Sequence, residues 1–280
     1  PEQPRAAVSM SARYDQHNTF GAFVSPRVSA LLRPAVGWTV RASAGAGYFA
    51  PTPLTEETES TGLTRLARAQ LADAETARTF SFDVGHSVGA VELNGTFFGS
   101  RVNHELAARS FDAPTYRFAL APLSGATDTF GAEALAKIRR GEFSLVATYT
   151  YVHATQPDVV TSAREDVPLT PRHSSGLVLM WEREGVGRAG VECYFTGRQR
   201  LEDNPFRSSS ESYWYLGFMA ERRVGERLRI FINAENLLDR RQTAYDPLVR
   251  PSRNFDGRWT VDAWAPLEGR VANAGIRWMF

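Results

Sequence analysis

Along most of the chain, apolar and polar residues alternate with a period of two. Phe143, Leu145, Ala147, Tyr149 and Tyr151 hold one phase, while Glu142, Ser144, Thr148 and Thr150 hold most of the other. That is the pattern of a strand with one greasy face and one polar face. It recurs in Val8, Met10, Ala12, Tyr14; in Trp38, Val40, Ala42, Ala44; in Phe80, Phe82, Val84; in Val91, Leu93, Gly95, Phe97; and in Leu228, Ile230, Ile232, Ala234. Only residues 55–75 suit a helix, with Leu63, Leu66 and Leu71 among Glu, Arg and Ala, and Gly62 interrupts them. The pattern predicts about twelve antiparallel strands.

The connections sort by length. Short ones fall near residues 33–37, 85–89, 139–142, 183–188 and 223–226. Longer polar ones fall between them, near 50–76, 105–115, 156–172, 201–211 and 237–268, with a smaller one at 16–19. Tight turns at one end and long loops at the other are what an outer-membrane barrel shows, and a soluble sandwich has no reason to sort its loops this way. Segments such as 20–33 and 91–104 exceed the usual five or six residues of a sandwich strand and approach the length of a tilted membrane strand. Tyr14, Tyr48, Tyr149, Tyr151, Trp181, Tyr213 and Trp278 lie near strand ends, where aromatic girdles meet the lipid interfaces. The expected fold is all-β: an antiparallel transmembrane β-barrel.

Composition removes the competing classes. The 280 residues carry 32 basic and 31 acidic side chains, and Lys137 is the lone lysine, so the positive charge is dispersed guanidinium. No nucleic-acid partner is expected. A hydrophobic fraction of 43% and a mean hydropathy of -0.30 exclude a helical membrane protein. They leave a barrel open, because alternating strands average to the hydropathy of a soluble protein. Cys193 continues the apolar phase of Ala189, Val191 and Phe195 and reads as a small packed side chain, not a catalytic thiol. The chain opens Pro-Glu-Gln-Pro, with no initiator Met and no apolar leader. Either a removed signal or a fragment is expected.

Catalytic and cofactor motifs find no support in their surroundings. Gly85-His86-Ser87-Val88-Gly89 matches a nucleophile elbow, yet Val91, Leu93 and Phe97 announce a strand where that motif needs a helix. Gly45-Ala46-Gly47-Tyr48-Phe49-Ala50 fits a loose dinucleotide fingerprint, but Pro51 and Pro53 stand where the phosphate-binding helix would run. His104-Glu105 begins a zinc motif that Ala108 leaves unfinished, and His17, His86, His153 and His173 lack ligand spacing. No catalytic, cofactor or metal residue is assigned, and no enzyme is expected. Arg240, Arg241, Arg250, Arg253, Arg258 and Arg270 stand in the longest loop and beside it, with Asp239, Asp246, Asp256, Asp262 and Glu268. They are expected to pair among themselves, with the grip on an anionic ligand as the alternative.

At the carboxy terminus, Ala272, Ala274, Ile276, Trp278 and Phe280 alternate with Asn273, Gly275 and Arg277. A terminal aromatic on an amphipathic strand resembles the signal that outer-membrane proteins offer to the barrel assembly machinery, and Trp278 and Phe280 would carry it. Upstream, residues 230–240 (Ile-Phe-Ile-Asn-Ala-Glu-Asn-Leu-Leu-Asp-Arg) resemble the penultimate strand of TonB-dependent outer-membrane receptors. That strand ends in Asn-Leu-Phe-Asp-x-x-Tyr; here Leu238 replaces the Phe and the tyrosine is displaced to Tyr245.

Other pieces agree in order: Arg13-Tyr14-Asp15, Val24-Ser25-Pro26-Arg27, Gly47-Tyr48-Phe49-Ala50-Pro51-Thr52, Gly131-Ala132-Glu133 and Gly269-Arg270. The resemblance implies a receptor that imports a scarce nutrient, most often a ferric siderophore, across the bacterial outer membrane. Its partners would be membrane lipid, the small-molecule cargo, the assembly machinery, and TonB through an amino-terminal plug. No segment here resembles a plug, and the family's barrel has 22 strands. Residues 1–280 are therefore expected to be the carboxy-terminal half of a larger barrel. The alternative is a complete twelve-stranded barrel acting as a pore or translocator. No ligand residues are assigned.

Overall fold

The computed structural model describes residues 5–52, 73–112, 117–254 and 257–279. Its strands are β1 (Ala6–His17), β2 (Gly21–Leu32), β3 (Trp38–Phe49), β4 (Glu75–Val88), β5 (Val91–Asn103), β6 (Leu106–Asp112), β7 (Arg117–Pro122), β8 (Thr127–Arg140), β9 (Phe143–Pro157), β10 (Arg164–Asp166), β11 (His173–Arg183), β12 (Gly187–Thr196), β13 (Tyr213–Val224), β14 (Leu228–Glu235) and β15 (Val271–Trp278). One 13-stranded sheet follows the order β1-β2-β3-β4-β5-β8-β9-β11-β12-β13-β14-β15, with β10 paired to β9 off that path. Without β10 the path holds the twelve strands that the alternation predicts. Every neighbour is antiparallel. The 55–75 helix falls mostly on residues 53–72, outside the described residues; Glu75 opens β4.

Two local features escape the pattern. Residues 105–115, read from the sequence as loop, contain β6 and contribute to a hairpin with β7. Ala107, Ala108 and Arg109 give that segment no alternating phase. β10 is three charged residues, Arg164, Glu165 and Asp166, and a run that short has no period to detect.

Turn chemistry fixes the short end. β4–β5 and β8–β9 are joined by residues 89–90 and 141–142, and Gly89 (φ 56°) and Gly141 (φ 58°) take the positive φ that a tight hairpin needs at its first position. The other connections at that end are 33–37, 184–186 and 225–227. The opposite end carries 50–74, 104–126, 158–172, 197–212 and 236–270, and only β1–β2 is short there, at 18–20.

Among the described residues the sheet has no packed interior of its own. The accessible surface is 17768 Å², against about 12,000 Å² for a soluble monomer of this mass. Apolar residues line one face in cross-strand rows. Val84, Gly95, Ala134 and Tyr149 share one row, and Ile230 and Ile276 another. Met10, Phe97 and Ile276 on this face are 78%, 61% and 71% exposed. So large an exposed apolar surface needs a partner phase. The other face is polar and self-bonded: Ser43 Oγ to Ser81 Oγ at 2.8 Å, Thr96 Oγ1 donating to Asp83 at 3.1 Å, and Glu221 salt-bridged to Arg229 at 3.0 Å.

Candidate functional site

Buried apolar side chains among the described residues gather at the long-loop end, where Leu201, Trp264 and Ala265 form a cluster with Tyr213 against it. Tyr213 thus departs from the girdle expectation. It lies in the polar phase of β13 and packs under the loops, because alternation assigns a face but cannot tell what folds over it. Tyr14, Tyr149 and Trp278 are exposed on the apolar face.

Buried amides knit the loops together. Gln242, fully buried, donates from Nε2 to Asp262 O (2.9 Å), and its Oε1 accepts from Trp264 N (2.8 Å). Gln199 Nε2 donates to Trp264 O at 3.1 Å, joining loop 197–212 to loop 236–270. Arg207 lies between them, paired with Asp246 at 2.5 Å and Glu211 at 3.2 Å, its guanidinium 5.6 Å from the Trp264 ring centre and 5.8 Å from that of Tyr245. Loop 158–172 joins through Leu169 N, which donates to Arg200 O at 2.9 Å, and through the Arg200–Glu165 ion pair. Three long loops therefore form one connected surface.

The Asn-Leu-Leu-Asp segment is the hinge of that surface. Asn236, 2% exposed with φ 49°, donates from Nδ2 to Arg240 O (2.8 Å) and Glu268 O (2.9 Å) and accepts at Oδ1 from Arg240 N (2.8 Å). Its short amide tolerates the left-handed backbone that turns β14 into the loop. Arg270 Nε donates to Leu237 O at 2.8 Å. A Cβ on Gly269 would come within 2.6 Å of Asp239 Oδ1, so this Gly-Arg pair closes the loop where β15 begins.

The loop arginines mostly engage their own chain: Arg241 with Asp239 (3.1 Å), Arg258 with Asp262 (2.9 Å), and Arg253 with Gly257 O (2.7 Å). Loop 158–172 has its own lock. Asp158 accepts from Thr161 N (2.6 Å), Thr161 Oγ1 (2.7 Å) and Val160 N (3.0 Å), and these bonds hold its carboxyl below the usual carboxylate range.

Sequence reasoning missed Gln199, Ser210, Gln242 and Trp264 as organising residues. A polar residue in a polar loop carries no signal of burial. Ser87 stays within β4, its N–H bonded to Gly37 O at 2.8 Å, and strand β5 follows. His104 Nδ1 lies 3.3 Å from Ala74 O. Among the described residues, no group of three or more His, Cys, Asp or Glu could hold a metal ion. Trp278 closes β15 opposite Leu228, and Phe280 lies outside the described residues.

A sheet with one apolar and one self-bonded polar face, tight turns at one end and knitted loops at the other, defines a segment of large antiparallel barrel wall. The family described as TonB dependent receptor-like, beta-barrel matches residues 4–237, and the chain belongs to it. No curated protein matches by sequence. Among solved structures, the siderophore receptor PirA from Acinetobacter baumannii is 14% identical with a TM-score of 0.72, over 99% of this chain and 44% of that one. A mutant of the ferric enterobactin receptor PfeA from Pseudomonas aeruginosa is 15% identical at 0.71, over 98% and 43%. The FrpB iron transporter from Neisseria meningitidis is 14% identical at 0.71, over 99% and 43%. The chain thus spans less than half the length of these structures.

Proposed function

We propose that this chain is the carboxy-terminal part of the barrel of an outer-membrane receptor that takes up a scarce nutrient, most economically a ferric siderophore, with energy delivered through TonB. The observation that carries the reading is the pairing of a continuous apolar face with a single end of knitted loops in a member of this family. The apolar face turns to lipid and the polar face to the lumen. The chain's chemistry is recognition and not bond-making: buried amides and ion pairs hold loops in shape, and a bulky ligand meets that shape. Coupling to TonB belongs to a plug seated in the lumen. The iron and siderophore names of the similar structures favour an iron cargo.

A complete twelve-stranded pore needs β1 hydrogen-bonded to β15. Among the described residues no such pairing occurs, and an open edge is untenable in lipid, which favours the fragment reading. In the same reading, Trp278 at the end of β15 and Phe280 of the sequence beyond it address the assembly machinery. The test uses the full-length receptor that contains this chain. It is expected to require detergent for extraction and to restore uptake of labelled ferric siderophore in a receptor-deficient strain. Uptake of labelled cobalamin or oligosaccharide instead would reassign the cargo, and extraction without detergent would overturn the reading.

A further inference from the structure

One cross-strand row on the apolar face is charged. Register places Ala46, Arg78, Arg101, Asp128, Thr155 and Asp166 side by side across β3, β4, β5, β8, β9 and β10. Arg101 is bidentate to Asp128, with Nε at 2.6 Å and one Nη at 3.1 Å. Arg164 reaches the same carboxylate at 3.0 Å, and Arg172 pairs with Asp166 at 2.9 Å. Arg78, exposed and directly opposite Arg101, has no carboxylate at ion-pair distance among the described residues.

Like charges facing each other across a strand pair, about 5 Å apart at Cα, are destabilising unless something neutralises them. Four guanidiniums stand against two carboxylates here: Arg101 and Arg164 share Asp128, Arg172 takes Asp166, and Arg78 is paired with neither. The local excess of positive charge lies at Arg78 and Arg101.

The height of the row is equally specific. The next apolar-face row toward the short turns is Ala44, Phe80, Gly99, Phe130 and His153, with Phe130 and His153 ring centres 4.9 Å apart. From Val91, beside the tight turn, to Arg101 the strand rises about 33 Å at about 3.3 Å per residue. At a tilt near 40° that is about 25 Å along the barrel axis, the height of a lipid-facing apolar band. The guanidiniums therefore emerge at headgroup level, immediately above an aromatic row.

We propose that Arg78 and Arg101, with Arg164 beside them, bind the phosphate of an outer-leaflet lipid headgroup, which bridges the two facing guanidiniums. The planar fork of arginine suits bidentate phosphate contact, and the anion removes the repulsion that the register imposes. The proposal rests on the lipid-facing reading of the apolar face.

The experiment titrates the full-length receptor in detergent with bisphosphorylated lipid A, with lipid A stripped of phosphate, and with inorganic phosphate. Binding is followed by native mass spectrometry and by melting. The phosphorylated lipid is expected to bind and to raise the melting temperature, and Arg78→Gln to weaken its binding about tenfold or more, as the loss of a charge-assisted contact does. In lipid-free detergent Arg78→Gln melts no lower than the parent, because it relieves repulsion. Arg78→Lys, which keeps charge without the fork, falls between them and serves if the Gln variant fails to fold. Arg13→Gln, on the polar face, leaves lipid binding unchanged.

Equal binding of the stripped lipid, full stabilisation by inorganic phosphate alone, or unchanged affinity in Arg78→Gln would overturn the proposal. A receptor that stays monodisperse without detergent would instead sink the lipid-facing reading, so the two failures are distinguishable.

Discussion

Replacing Asn236 by alanine removes three hydrogen bonds of 2.8 to 2.9 Å in a site that is 2% exposed, and it puts a Cβ without a polar tip at φ 49°. Each bond contributes about 1 kcal/mol net, and the left-handed backbone costs alanine a further 1–2 kcal/mol or so. The local closing free energy of loop 236–270 should therefore fall by about 4–5 kcal/mol, raising its open population by roughly a thousandfold. Limited proteolysis of the full-length protein that contains this chain reads that population when opening is fast relative to cleavage. Trp264, 3% exposed within the loop, supplies an independent fluorescence signal. Asn236→Gly, which keeps the backbone freedom and loses only the bonds, should fall short of the alanine effect by about 1–2 kcal/mol. Cleavage rates and Trp264 emission unchanged in Asn236→Ala would refute the claim that this side chain closes the loop.

Three further outcomes follow from the same geometry. Gly131→Ala should destabilise the barrel by about 1–3 kcal/mol in thermal melts, because its Cβ would meet Tyr151 O at 2.4 Å, while Gly95→Ala, with open space around it, should be neutral or slightly stabilising. Arg207→Ala should cost about 3–5 kcal/mol of loop stability by leaving buried Asp246 unpaired, and adding Asp246→Asn should recover much of it; no recovery in the double variant would show that Arg207 acts through packing alone. Because the folded-state pKa of Asp158 is lowered, the turn it caps is held above the ordinary aspartate value and loosens as pH falls through the lowered one; hydrogen exchange at residues 158–163 should rise with acid, and Asp158→Ala should abolish that dependence.

The alternation in residues 143–151 is enough to specify strand, face and length, because the period-two pleat leaves no other placement for that pattern. Length-sorted connections then fix the up-and-down order, and Gly89 and Gly141 fix the turns that permit it. Asn236 was legible as part of a motif, though its role as a loop lock was not: the sequence shows an amide but not the carbonyls of Arg240 and Glu268 that converge on it. Gln199, Gln242 and Trp264 were illegible, since loops 197–212 and 236–270 meet only once the strands have set their ends side by side. The Arg78–Arg101 pair was likewise invisible, because nothing in either strand states the register that brings them opposite.

What the sequence determined by itself is therefore everything that local periodicity and turn stereochemistry can enforce: all-β class, the twelve strands of the main path, two faces, two ends. Tertiary structure alone decided which polar loop residues are buried, which charges face one another, and where Tyr213 packs. Those depend on contacts between segments far apart in the chain, and no local pattern encodes a long-range contact.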